Sequence, residues 1–376
     1  MRANNVLGII QSQAYDSNLR EFTNIRAMGS VPFSSRYRFI DFPLSNMVNA
    51  GITQVVIITK DNYQSLMDHV GSGKPWDLAR KRDGLFLLPP YNSTKSLMQR
   101  RSSKLESLSS ILDFLQKSRQ EYVVITDANS VYNFDFNDLF NFHQEKDADI
   151  TIVYNHGKPP MLDDLMTLTM DENKRVTEIS ISNRHISNDE EIDYSFNMFV
   201  MRKALLESLI KSAFASNLTS FSRDFIQANV KSLKILGYEV PGYARMVDSL
   251  QTYYNINMDM LDYKKRSHLF NPENPITTKI SDRVPTTYGS NCIVKNSLLA
   301  DGCVIEGTVE NSILFRGVKV ERGATVKNSI LMQDTIIHMN SYVNSIITDK
   351  NVIITANRSL SGDPSYPIYF AKNIIV

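Results

Sequence analysis

Four copies of one short motif in the last quarter of the chain set the strongest limit on its fold. Asn296-Ser297-Leu298-Leu299 returns as Asn311-Ser312-Ile313-Leu314, Asn328-Ser329-Ile330-Leu331 and Asn344-Ser345-Ile346-Ile347, at offsets of 15, 17 and 16 residues. Between them, Asp301-Gly302-Cys303-Val304-Ile305, Arg316-Gly317-Val318-Lys319-Val320 and Arg322-Gly323-Ala324-Thr325-Val326 place a turn before a small or apolar residue. A repeat of this length without helical spacing is the hexapeptide-type signature of a parallel β-helix. Its coils bury their apolar residues only by stacking on one another. A β-sandwich with chance similarity is the competing reading. Cys292 and Cys303 fall in this region and are expected at inward positions, as small apolar residues.

The preceding two-thirds follows another rule. Val6–Ile10, Val55–Thr59, Tyr122–Thr126 and Ile150–Tyr154 are short, β-branched apolar runs, as expected of strands covered on both faces. Leu105, Leu108, Leu112 and Leu115 form one apolar stripe at helical spacing. Alternating strands and helices predict an α/β domain with a parallel sheet, and ligands in such domains sit at the carboxyl ends of the strands. The expected division is 1–262 for this domain, 263–280 for a connector carrying Pro272 and Pro275, and 281–376 for the β-helix.

Charge and composition exclude several functions. Lys+Arg is 41 and Asp+Glu is 40, so no global field exists to hold nucleic acid or an acidic membrane. Two cysteines preclude a disulfide framework or a Cys-rich zinc site. The apolar start, Val6–Ile10, is too short for a signal-peptide core, and no run approaches the length of a membrane span. A cytoplasmic protein is expected. His69, His143, His156, His185, His268 and His338 show no metal-ligand spacing, and no metal site is assigned. Arg80-Lys81-Arg82, Arg100-Arg101 and Lys264-Lys265-Arg266 read as solvated faces.

Longer motifs then carry a family resemblance. Val31-Pro32-Phe33-Ser34-Ser35-Arg36-Tyr37-Arg38-Phe39-Ile40-Asp41-Phe42-Pro43-Leu44-Ser45-Asn46 resembles the segment VPFGGKYRLIDFPLSN of glucose-1-phosphate adenylyltransferases. His69–Leu78 resembles that family's HIGxGxPWDL, Gly242–Val247 its GYWRDVG and Asn257–Leu261 its NMDLL. The resemblance runs nearly the whole chain. It implies a Rossmann-like, GT-A-like nucleotidyltransferase domain followed by a left-handed parallel β-helix. The implied reaction joins ATP to glucose 1-phosphate, in tetramers under allosteric control.

The site residues implied by that resemblance are largely missing. The reaction brings two polyanions together, so it needs backbone amides, cations and Mg²⁺. The family's GGxGTRL is here Gln13-Ala14-Tyr15-Asp16-Ser17-Asn18-Leu19, with no glycine and with Asn18 at the catalytic arginine. Met28 stands at the lysine of RAKPAV, Asn129 at the metal-binding Asp of AGDHIY, and Met246 at the second metal Asp. Ser182 stands at the phosphate-binding lysine of EFVEKP, and Ser103-Lys104-Leu105-Glu106-Ser107-Leu108 has lost the glycine of GTADAV. Such losses would leave activity lower by about 10⁴-fold or more.

The expectation is therefore a catalytically degenerate, regulatory subunit in glycogen biosynthesis. It would form a hetero-oligomer with a catalytic paralogue that makes ADP-glucose, need no cofactor of its own, and leave Mg²⁺ to its partner. Arg26 and Arg38 match family effector-site arginines, which suggests a phosphorylated effector; interface salt bridges are the equal alternative. Another possibility is a weak nucleotidyltransferase with a relocated metal on Asp16, Asp127 or Asp248. A third is an acyltransferase or sugar-binding protein working through the β-helix, with His338 as the candidate catalytic histidine of the former.

Overall fold

The computed structural model describes residues 2–12, 19–59, 62–89, 104–162, 164–182, 190–216, 218 and 220–376. Nine strands build the main sheet: β1 (Val6–Gln11), β2 (Gln54–Ile58), β3 (Gly84–Leu88), β4 (Tyr122–Asp127), β5 (Ile150–Gly157), β6 (Leu165–Met170), β7 (Val176–Ser182), β8 (Ile192–Arg202) and β9 (Ile235–Glu239). The four apolar runs of the sequence are β1, β2, β4 and β5.

Strands β3, β2, β1 and β4 run side by side and parallel, as strand–helix alternation requires. Beyond β4 the sheet changes sense. β8 pairs antiparallel with both β4 and β5, and β6 pairs antiparallel with β8 and with β7. Among the described residues no helix separates β5, β6, β7 and β8. The parallel sheet expected from the sequence thus covers one flank, and an antiparallel insertion makes the other.

The leucine stripe forms two helices rather than one: α1 (Lys104–Ser109) and α2 (Leu112–Lys117). Ser109 Oγ donates to Glu106 O and Ser110 Oγ to Ser107 O, both at 2.7 Å, and this back-bonding interrupts the ladder. Leu105, Leu108 and Leu115 are still buried against the sheet. The expected connector is partly helical, since α3 (Tyr263–Leu269) occupies its first half.

The C-terminal region is a left-handed parallel β-helix made of three five-stranded parallel sheets. The repeated Asn-Ser pair does two jobs. Asn296, Asn311 and Asn328 turn the corner in the left-handed region, at φ of 41°, 46° and 45°. The serines point inward and link successive coils. Ser312 Oγ donates to Glu310 O and accepts from Ser329 N, and Ser329 Oγ donates to Lys327 O and accepts from Ile346 N. In the fourth copy Ser345, not Asn344, takes the corner at φ 53°. Cys303 is fully buried, whereas Cys292 in the first coil is only half-buried.

Ser329→Ala should leave the buried Ile346 N–H without its acceptor. It is expected to destabilise the protein by about 1–3 kcal/mol, readable as a lower urea midpoint.

The two domains share a core. Phe33, Phe39 and Phe42 of the first domain join Tyr253 and Tyr254 of the helix Leu250–Asp259, and Ile313, Phe315 and Ile330 of the β-helix. Among the described residues, no helix is long and apolar enough to cross a membrane.

Candidate functional site

Two places answer to the sequence expectations: the carboxyl ends of β1 and β4, and the seam between the domains. At the first, the structure brings together positions far apart in sequence. The short strands Ser130–Val131 and Arg245–Met246 pair antiparallel, with Met246 opposite Ser130. Val247 N then donates to Asn129 O at 2.8 Å. The two positions that the resemblance sets against metal-binding carboxylates thus lie side by side. Here they carry an amide and a thioether.

Both are buried. Met246 packs in the apolar cluster that contains Ala128, Phe196 and Tyr194, and Met28 in the cluster that contains Val131 and Val247. Asn129 Oδ1 accepts no hydrogen bond among the described residues. Asn18, the whole segment from Gln13, and the Ser182 side chain lie outside the described residues, as do Arg100, Arg101 and His185. The Ser182 backbone pairs with Leu165 at the end of β7.

Two of the three carboxylates considered for a relocated metal are committed elsewhere; the third, Asp16, lies outside the described residues. Asp127, at the end of β4, is fully buried and ion-paired with Lys104 of α1 at 2.8 Å. Burial pushes its carboxyl up from the usual range, and the Lys104 ammonium opposes that. The same ammonium lies over the Phe199 and Phe221 rings, at 5.4 and 5.6 Å. Asp248 accepts from Met161 N at 2.6 Å and from the Ser249 and Thr252 hydroxyls at 3.0 and 2.5 Å.

The donor set does not suit Mg²⁺, which wants several anionic oxygens at short range. Asn129 and Met246, which the resemblance sets at the ligand positions, are neutral, and Asp127 is held by a cation. Among the described residues, no three His, Cys, Asp or Glu side chains gather as metal ligands. Lys104 had no signal in the sequence beyond its place next to a lost glycine.

At the seam, a cavity of about 270 Å³ opens between the hairpin Pro32–Arg38, the connector and the turns of the β-helix. Arg36, Arg38, Lys279, Arg316, Lys350 and His69 reach its wall. Arg38 Nη1 donates to Ser65 O and Oγ at 2.7 and 3.1 Å, and burial holds its guanidinium down to about 10. His69 meets Asp41 at 2.6 Å, and burial pushes its imidazole below the ordinary value.

Arg26 lies beside this cavity but does not line it. Its Nη2 donates to both oxygens of Asp349, each at 2.8 Å, with the two side chains 3% and 0% exposed. Tyr369 OH and Lys350 N also donate to Asp349, at 2.8 and 2.6 Å. Arg26 therefore ties the first domain to the last coils of the β-helix.

Elsewhere, His338 Nδ1 bonds Glu321 Oε1 of the coil below at 3.0 Å. In the basic runs, Arg80 pairs with Asp77 and Lys265 with Asp259.

Comparison with known proteins agrees with this architecture. The nucleotidyl transferase family model matches residues 10–180, and that of the GlmU-like C-terminal hexapeptide matches 282–366. The glycogen biosynthesis protein GlgD of Bacillus subtilis (strain 168) is 35% identical over 378 residues, covering 99% of this chain and 97% of its own. The chain belongs to the glucose-1-phosphate adenylyltransferase family. GlgD of Geobacillus stearothermophilus is 37% identical, over 86% of this chain and 83% of its own. The glucose-1-phosphate adenylyltransferase of Clostridium perfringens (strain SM101 / Type A) is 30% identical, over 87% and 84%. A role in glycogen biosynthesis on a nucleotidyltransferase-family scaffold follows from these relatives.

Proposed function

We propose that this chain is a regulatory, catalytically degenerate subunit. It modulates a catalytic paralogue that makes ADP-glucose from ATP and glucose 1-phosphate in the cytoplasm. The observation that carries the reading is the paired placement of Asn129 and Met246, where adenylyl transfer needs two carboxylates for Mg²⁺. On Asp127 and Asp248 a relocated metal is disfavoured, because Lys104 holds Asp127, while Asp248 serves a backbone amide and two hydroxyls.

The chain would need no cofactor of its own and would act as part of a hetero-oligomer. Its influence would require that assembly favour one state of the partner, and that coupling would be reciprocal. The cationic cavity at the seam supports a phosphorylated effector. Arg38 would contact it, and Arg26, held by Asp349, would support the wall.

The test is ADP-glucose synthesis from ATP, glucose 1-phosphate and Mg²⁺ by the catalytic paralogue, with and without this chain, and by this chain alone. The expected result is at least about 10⁴-fold less turnover from this chain alone, with a clear change in the partner's rate or half-saturation. Turnover by this chain alone that Asp127→Asn abolishes would overturn the reading.

A further inference from the structure

The Asn-Ser pairs of the β-helix are one dipeptide in four environments. In such a pair the serine amide nitrogen is a nucleophile aimed at the asparagine side-chain carbonyl, and whatever holds that N–H restrains it. Ser312 N donates to Ser297 Oγ, Ser329 N to Ser312 Oγ and Ser345 N to Lys327 O, each at 3.1 Å. Every one of these acceptors belongs to the preceding coil. Ser297 lies in the first coil, and its N–H has no acceptor among the described residues. Ser312, Ser329 and Ser345 are fully buried, whereas Asn296 and Ser297 are exposed. Asn311 is exposed as well, so it is the state of the following amide, not exposure of the asparagine, that sets Asn296 apart.

We propose that Asn296 is a site of spontaneous, age-dependent modification to aspartate and isoaspartate, and that the bond from each later Asn-Ser amide to the preceding coil protects the other three copies. Solvent base takes the proton from Ser297 N, the nitrogen bonds to Asn296 Cγ, and the bond from Cγ to the side-chain nitrogen breaks, releasing ammonia. Water then adds to one of the two carbonyls of the resulting succinimide. Opening on one side gives aspartate; opening on the other gives isoaspartate, whose backbone carries an extra methylene. Water enters, ammonia leaves, and nothing is oxidised or reduced. A hydrogen-bonded, buried amide must first open locally before it can follow this route.

The change has a structural reach. Asn296 Nδ2 donates to Asn311 Oδ1 at 2.8 Å, and a carboxylate there has no proton to give. The extra methylene of isoaspartate shifts Leu298 and Leu299, which follow directly, against their partners Ile313 and Leu314. Leu298 packs against the core that the two domains share, so loosening of the first coil reaches the seam.

The test is incubation of the folded full chain in mildly alkaline buffer, with peptide mass spectrometry at intervals and enzymatic methylation to count isoaspartate. Asn296 is expected to convert at least about tenfold faster than Asn311, Asn328 and Asn344. In concentrated urea the four rates should become similar, because the reacting dipeptide is the same. Ser297→Ala removes the acceptor of Ser312 N, so it should raise the rate at Asn311 while Asn328 and Asn344 keep theirs. Equal rates at the four copies in the folded chain, or an Asn296 that stays intact while another copy converts, overturn the proposal. An Asn311 as slow in Ser297→Ala as in wild type overturns the protection assigned to the bond from Ser312 N.

Discussion

Asp349→Ala is expected to destabilise the protein by about 3–5 kcal/mol, because it leaves a buried guanidinium without its counter-ion. Arg26 is 3% exposed, its Nη1 has no hydrogen-bond partner among the described residues, and Asp349 is the carboxylate its Nη2 meets. The same change strips an acceptor from Tyr369 OH and from Lys350 N. The measurement is the denaturant midpoint and slope of wild type and variant. A loss below about 1 kcal/mol would mean that the pair is not what locks the seam. The double variant Arg26→Met with Asp349→Leu should recover much of the loss, since apolar replacement of a buried ion pair is often neutral or better. Sulfate binding by that double variant then separates the roles of Arg26: retained affinity means a structural clamp, lost affinity a ligand contact.

Returning the family's carboxylates to the emptied site is expected to fail, and to be costly. Met246 is 3% exposed within an apolar cluster, and Asn129 is fully buried. Met246→Asp with Asn129→Asp would bury two carboxylates beside Asp127, whose cation, Lys104, is already engaged. Isolated buried charges of this kind cost several kcal/mol each, or shift upward in pKa to stay neutral. A carboxyl raised above its unfolded value of about 4 binds more protons folded than unfolded. Stability is then kept at low pH and lost as pH rises through the window between those two values. The expected outcome is a thermal midpoint that falls further below wild type at neutral pH than near pH 4. Millimolar Mg²⁺ should not restore it, and no ADP-glucose should be made. A strong stabilisation by Mg²⁺ with measurable turnover would mean that substitution of the two ligands was the whole defect.

These two sites differ in how far they could be read in advance. Met28, Asn129 and Met246 were visible as departures from family motifs, because each motif is a short contiguous string. What filled the space was not visible. Lys104 reaches Asp127 because α1 lies over the carboxyl end of β4, and the interrupted leucine stripe gave no register for that contact. Arg26 and Arg38 were marked by family position, with a clamp and a ligand contact equally open. The partner of Arg26 is 323 residues away, and no spacing rule connects them.

The sequence by itself determined the elements whose cause is local. Asn and Ser recur at the β-helix corners because each coil repeats the same turn and the same inward bond. Continuous β-branched runs give β1, β2, β4 and β5 because both faces of those strands are covered. Tertiary structure decided what depends on chain segments meeting. It set the antiparallel insertion of β8, the helical start of the connector, the Lys104–Asp127 pair, and the gathering of Arg36, Arg38, Lys279, Arg316 and Lys350 at one seam. The physical reason is range. A turn or a strand is fixed by neighbours a few residues apart, whereas an ion pair and the burial that shifts its protonation exist only once two domains have packed together.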